Sequence, residues 1–144
     1  MPPLYTIGYQ GRSLEEFLAV LRREGIGCVV DVRRNALSRK PGFSKTALRE
    51  ALAGAGIDYL HLRRLGIESA QRKGLKTDED YARLFAGYRR EVLDSAGVEL
   101  AAIEQRARRG ATALLCYEAE PARCHRRLIA ERVTAAPGLG FSNL

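Results

Sequence analysis

The sequence predicts one α/β domain: a mainly parallel sheet of about four strands with helices on both faces, a Rossmann-like three-layer sandwich. Three observations predict it. Short apolar runs recur along the chain, each bounded by turn residues and each separated from the next by a helix-length stretch. The run Cys28-Val29-Val30-Asp31-Val32 is apolar at nearly every position, as a strand covered on both faces must be. The length of 144 residues, with 46% hydrophobic and 28% charged content, suits a single soluble core.

Leu4-Tyr5-Thr6-Ile7-Gly8 reads as the first strand, ended by a glycine-bearing turn. Ser13 and Glu16 form a capping box, in which each side chain takes up a free amide of the helix start. Leu14, Phe17, Leu18 and Leu21 recur at helical spacing and give that helix a core face. Gly25 or Gly27 stops it before the Cys28–Val32 strand. Arg33 to Arg49 then carries six basic residues and no acidic one. Pro41-Gly42 marks a loop there, and Ser44 is placed to cap a helix with Leu48 and Leu52.

Gly54 and Gly56 close that helix before a third strand, Ile57 to Leu62. A polar, basic connection runs from Arg63 to Lys76. Thr77 with Asp80 starts a helix whose Tyr81, Leu84, Phe85, Tyr88 and Val92 form one stripe. Leu100, Ile103 and Ala107 indicate a further helix, ended by Gly110. Ala111 to Tyr117 is the fourth strand, and a last helix runs through Leu128, Ile129 and Val133. The expected domain spans residues 1–133, with residues 134–144 as a flexible C-terminal tail.

No apolar run approaches the roughly 18 residues of a membrane span, and Met1-Pro2-Pro3-Leu4 lacks a signal-peptide pattern. The expectation is a cytoplasmic protein with no membrane partner. Three cysteines cannot all pair within one chain, and Cys28 and Cys116 lie in apolar runs, which favours reduced thiols. A formal charge of +7 and a pI near 9.7 point to an anionic partner, either a small molecule or nucleic acid. Arginines outnumber lysines 20 to 4. Their planar fork suits phosphate and carboxylate, although a GC-rich coding sequence produces the same bias. Oligomeric state is not legible.

In an open parallel sheet the carboxyl ends of the strands share one edge, where ligands bind. Four polar clusters fall there. The first is Gly8, Tyr9, Gly11, Arg12 and Ser13, which either presents amides and charge to an anion or is a tight turn with a good cap. The second is Asp31 and Arg33, two apart and therefore on one face, forming a mutual ion pair or touching ligand. Arg39 and Phe43 follow in a basic loop, where the ring either stacks a base or pins the loop. The third is His61 with Arg63 and Arg64, where a lone histidine is more often structural than catalytic.

The fourth cluster, Cys116 to Arg127, is the main candidate site. Cys116 and Glu118 alternate with Tyr117 and so project to one side. Pro121 suits the first turn of the following helix. Cys124 then lies in or near that turn, where the dipole and neighbouring arginines favour thiolate. His125 is a candidate acid or base, and Arg126 a candidate anion clamp. Packing of Cys124 against the core is the plainer alternative. Cys116, Cys124 and His125 also have ligand chemistry, but without a paired Cys-x-x-C spacing no metal or other cofactor is expected.

These motifs together resemble the family of domain of unknown function 488. The resemblance rests on Thr6-Ile7-Gly8-Tyr9 with Gly11, Arg12 and Ser13, and on Val30-Asp31-Val32-Arg33. It rests also on Ser38-Arg39 with Pro41 and Phe43, on Tyr59-Leu60-His61-Leu62 with Leu65-Gly66, and above all on Cys116-Tyr117-Glu118 with Cys124-His125-Arg126. It spans Thr6 to about Val133. It implies a compact cytosolic α/β protein with Cys116, Glu118, Cys124, His125 and Arg126 as the signature site, and it implies no substrate.

Two function classes follow. One is a thiol-dependent enzyme on a phosphate-bearing molecule, nucleotides included, with Cys116 or Cys124 as nucleophile, Glu118 or His125 moving protons, and Arg12, Arg33 and Arg126 holding the anion. The phosphatase spacing Cys-x5-Arg is absent, since that position after Cys116 is Ala122. A rhodanese-like, sulfur-handling role shares the strand-Cys-loop-helix logic. The other class is a non-catalytic nucleic-acid module using the Arg33–Arg49 and Arg63–Lys76 segments.

Overall fold

A computed structural model describes residues 3–144. Five strands form one sheet: β1 (Leu4–Gly8), β2 (Cys28–Asp31), β3 (Asp58–His61), β4 (Thr112–Cys116) and β5 (Phe141–Asn143). Their order is β3-β2-β4-β1-β5, and every pairing is parallel. Six helices connect them: α1 (Leu14–Arg23), α2 (Lys45–Gly54), α3 (Ser69–Arg72), α4 (Asp78–Glu91), α5 (Gly97–Arg109) and α6 (Arg126–Val133). No described helix is long and apolar enough to cross a membrane.

The two helix layers follow from the alternation of side chains along each strand. Tyr5, Ile7, Val29, Ala113 and Leu115 pack with Phe17 and Leu21 of α1 and Leu48 and Leu52 of α2. Leu4, Cys28, Val30, Leu114 and Cys116 pack on the opposite face with α4, α5 and α6, through Phe85, Tyr88, Ile103, Leu128 and Ile129. Full burial of each large apolar side chain contributes about 1.5–3 kcal/mol, so both layers are held by several such groups.

This wiring places a crevice. The chain leaves β1 and β2 toward the α1/α2 layer, while it leaves β4 toward α6 on the other face. Because β4 lies between β1 and β2, its carboxyl end is flanked on both sides by connections that turn the other way. That divergence is the switch point at which parallel sheets open a ligand crevice, and Cys116 ends the strand in the middle of it.

Both capping boxes form as their spacing predicts, Ser13 with Glu16 and Thr77 with Asp80. Ser44 does stand at the N-cap of α2, but its hydroxyl bonds Ser38 instead of the helix amides. The sheet has one strand more than the expected four. Residues 141–143, in the segment read as a tail, pair with Leu4–Thr6 of β1. Phe141-Ser142-Asn143 is too short and too polar to show strand periodicity, so only its partner reveals it.

The last helix also starts later than expected. Pro121 opens a separate 3-10 turn, Pro121–Arg123, capped by Glu120, whose carboxylate accepts from the Ala122 amide. Cys124 then adopts an extended backbone, and α6 begins only at Arg126. Cys124 therefore precedes the first turn instead of lying within it.

Candidate functional site

Cys116 closes β4 with its side chain on the α4–α6 face. Two residues on, Glu118 projects to the same side, and the Cys116 thiol donates to its Oε2 at 3.3 Å. The other carboxylate oxygen, Oε1, accepts from Arg72 Nη1 at 2.9 Å. Cys124 and His125 return the chain to this point from the far end of the β4–α6 loop. His125 Nδ1 lies 3.8 Å from Cys116 Sγ and 3.9 Å from Cys124 Sγ. Both thiols and the imidazole are almost wholly buried.

The histidine is oriented from behind. Its Nε2 donates to the Val32 carbonyl, just past β2, at 2.8 Å. A carbonyl only accepts, so the proton sits on Nε2 and the Nδ1 lone pair of the neutral ring faces the sulfurs. The Tyr88 ring stands edge-on to the imidazole at 5.5 Å and holds its plane.

The environment separates the two thiols. The neighbouring Cys124 thiol and the His125 ring hold the Cys116 thiol well below its ordinary range, against the effect of burial. Burial, together with the adjacent Cys116 sulfur, pushes the Cys124 thiol well up. Burial opposes protonation of His125, but a Cys116 thiolate outweighs it and raises that pKa. Burial and the same thiolate raise Glu118 as well. Cys116 Sγ thus lies within reach of both the Glu118 carboxylate and the His125 ring.

Above this cluster lies a cleft of about 650 Å³, lined by Cys116 and Glu118 from β4 and its loop. Tyr9, Arg33, Asn35, Leu37 and Ser38 line it from the β1 and β2 side, and Tyr117 from the loop. Ser69, Arg72, Lys73 and Tyr81 line it from α3 and its surroundings. Of the four clusters read from sequence, the structure brings Tyr9, Arg33, Cys116 and Glu118 to this cleft, with Cys124 and His125 in contact beneath it. It does not bring Gly8, Gly11, Arg12, Ser13, Asp31, Arg39, His61 or Arg126 to the lining.

Each of these has another place. Gly8 is needed because a Cβ there would sit 1.8 Å from the Glu118 carbonyl oxygen. Gly11 adopts a left-handed turn, and Ser13 is committed to its capping box. Arg12 Nη1 is buried without a hydrogen-bond partner, and Arg39 is exposed. Asp31 and Arg33 form a buried ion pair, which also takes in Tyr59, Tyr9 and the Phe43 carbonyl. Phe43 is buried and stacks on Tyr9, so it pins its loop.

His61 Nε2 donates to the Arg33 carbonyl at 2.7 Å, a structural tie one residue beyond that of His125. Arg126 is fully buried, and its guanidinium donates to the Glu118 and Ala119 carbonyls at 2.6 and 3.4 Å. It shapes the loop that carries Glu118.

Asn35, Leu37, Ser69, Arg72, Lys73 and Tyr81 are the lining residues that the sequence does not single out. Asn35 and Leu37 lie in the basic loop after β2, the others in or just after the connection that follows β3, and no local pattern distinguishes Arg72 from its basic neighbours. The grouping of Cys116, Cys124 and His125, with donor atoms all within 4.8 Å of one another, could hold a metal ion.

Comparison with known proteins adds one match. The family model described as Domain of unknown function DUF488 covers residues 13–133. No curated protein and no solved structure matches the chain.

Proposed function

The chain belongs to the DUF488 family, and from that premise we propose that it is a thiol-dependent enzyme acting on a small phosphate-bearing anion, nucleotides included, held in the cleft at the carboxyl edge of the sheet. The observation that carries this reading is the meeting of Cys116, Glu118 and Arg72. One carboxylate bridges a thiol at 3.3 Å and a guanidinium at 2.9 Å, at the floor of a cleft.

In this reading Cys116 supplies the thiolate, Glu118 receives and returns the proton, and His125 balances the charge. Arg72 and Lys73 draw the anion, a role that falls to them because Arg33 and Arg126 are spent on internal bonds. Tyr117, 44% exposed at the rim, offers a ring to the base of a nucleotide.

The test is the alkylation rate of each cysteine, followed by mass spectrometry with and without inorganic phosphate and nucleoside phosphates. Slower alkylation of Cys116 with no change at Cys28, and loss of that protection in Arg72→Ala, is the expected result. Protection by none of these compounds overturns the reading. Salt-sensitive binding of nucleic acid that survives Cys116→Ser favours the nucleic-acid module instead.

A further inference from the structure

We propose that Cys116, Cys124 and His125 form a binding site for a thiolate-preferring divalent cation of the zinc type, with one coordination position turned toward the cleft beside Glu118. The inference goes beyond the reading of this cluster as a reaction centre: in the metal-loaded protein its two thiolates are ligands, and the nucleophile role of Cys116 belongs to the metal-free protein.

The first argument is the spacing of the donor atoms. With zinc–sulfur bonds of about 2.3 Å and zinc–nitrogen bonds of about 2.0–2.1 Å, one face of a tetrahedron has S···N edges of roughly 3.5 Å and an S···S edge of roughly 3.8 Å. Here the S···N distances are 3.8 and 3.9 Å, and all three donors lie within 4.8 Å. Small side-chain adjustments close the triangle on an ion.

The second argument is the histidine. Metal-bound imidazoles use one nitrogen for the ion and donate the other N–H to a carbonyl or carboxylate, which fixes tautomer and plane. His125 already does this: Nε2 is committed to the Val32 carbonyl at 2.8 Å, and Nδ1 faces the two sulfurs. A histidine placed merely to pack would not need its free lone pair aimed between two thiols.

The third argument is charge and access. Two thiolates neutralise a divalent cation, so the filled site buries no net charge, whereas a lone buried thiolate is costly. Cys124 and His125 close the site from the core side, each 1% exposed. Cys116 and Glu118 alone open it to the cleft. A fourth ligand, water or substrate, enters from that side, within reach of the Glu118 carboxylate. Binding displaces the thiol protons to solvent, so affinity rises with pH.

The loop is held in shape for this purpose by Arg126, whose guanidinium bonds two of its carbonyls. Zinc fits the donor set because thiolate and imidazole ligands select it over oxygen-seeking cations such as magnesium and calcium.

The experiment uses the full chain purified without chelators. Metal analysis is expected to find about one zinc per chain, as for other sites with two cysteines and a histidine. Cobalt(II) added to protein stripped of metal should then give intense visible bands and a thiolate-to-cobalt charge-transfer band in the near ultraviolet. Cys124→Ser and Cys116→Ser should lose both, and Cys28→Ser should keep them. Should the site variants fail to fold, Zn²⁺ added to the wild-type protein should protect Cys116 and Cys124, but not Cys28, from alkylation.

Absence of metal, of cobalt bands and of Zn²⁺ protection overturns the cation site. Phosphate protection of Cys116 in such a protein leaves the enzyme reading standing. Cobalt bands without any phosphate effect do the reverse.

Discussion

Asp31 and Arg33 form a two-pronged ion pair buried at the end of β2: Arg33 Nε donates to Oδ1 at 2.9 Å and Nη2 to Oδ2 at 2.7 Å. Asp31 is 0% exposed and Arg33 5%. Tyr59 donates to the same carboxylate at 2.6 Å, and Arg33 Nη1 donates to the Phe43 carbonyl at 2.7 Å. The pair therefore ties β2, β3 and the basic loop together behind the cleft. It is scaffold, with Arg33 touching the cleft only by its flank.

Asp31→Asn should accordingly destabilise the fold by about 3–5 kcal/mol, because it leaves the Arg33 charge buried and uncompensated. Adding Arg33→Met should recover part of that loss. Urea unfolding of the single and double variants measures both. A single variant within about 1 kcal/mol of wild type would show that water reaches the pair.

Cys116 should alkylate at lower pH than the other two cysteines. The neighbouring Cys124 thiol and His125 ring lower its pKa, so its thiolate persists as pH falls below the ordinary value of about 8.5. Burial raises Cys28 and Cys124, so both should react only in alkaline solution. A rate profile for each cysteine from pH 5 to 10, on metal-free protein, gives the three inflections. Coincident inflections would remove the asymmetry on which the proton transfer rests.

Arg72→Ala should change stability by no more than about 1 kcal/mol, since its pair with Glu118 is partly exposed. Its effect should appear in the site instead. Arg72 opposes the upward shift of Glu118, so removing it should raise that pKa further. Carboxylate titration by NMR reads this directly, and an unmoved Glu118 would mean that the two side chains do not meet in solution.

Gly8→Ala should be poorly tolerated despite the small change. The added methyl would meet the Glu118 carbonyl oxygen at 1.8 Å, a backbone atom that no rotamer change can clear, and β1 or the Glu118 loop must move. Overpacking of this kind costs typically 1–3 kcal/mol, and more where rigid groups collide. Thermal unfolding and the Cys116 alkylation rate should both change. An unaltered alkylation rate would place the loop elsewhere.

Truncation after Gly140 should destabilise the protein and promote association. It removes β5, the Leu144 amide bond to the Thr6 carbonyl at 2.7 Å and the side-chain bond between Thr6 and Asn143. β1 would then become an open sheet edge able to pair with another chain. Light scattering and melting temperature together decide it, and a fully stable monomer would mean that residues 141–144 behave as the tail the sequence suggested.

What could be read in advance was local. The capping boxes at Ser13 and Thr77 involve side chains three residues apart, so spacing alone specifies them. Cys116 and Glu118 share a side because strand residues alternate. Arg126 shows the opposite case. Its charge suggested a ligand contact, but it lies fully buried under its own loop. Arg72 was invisible for the same kind of reason, because it meets Glu118 only once α3 lies across the sheet edge.

The sequence by itself determined the α/β class, four of the five strands, the starts of α1, α2 and α4, and the concentration of thiol, carboxylate and imidazole after β4. Periodicity and capping are interactions within a few residues, and they leave their mark on the order of amino acids. Tertiary structure alone decided that β5 joins β1, that Arg72 reaches Glu118, and that His125 turns Nδ1 toward both sulfurs by giving Nε2–H to Val32. Those contacts join groups far apart in the chain, whose meeting depends on the order of strands and the faces their connections take.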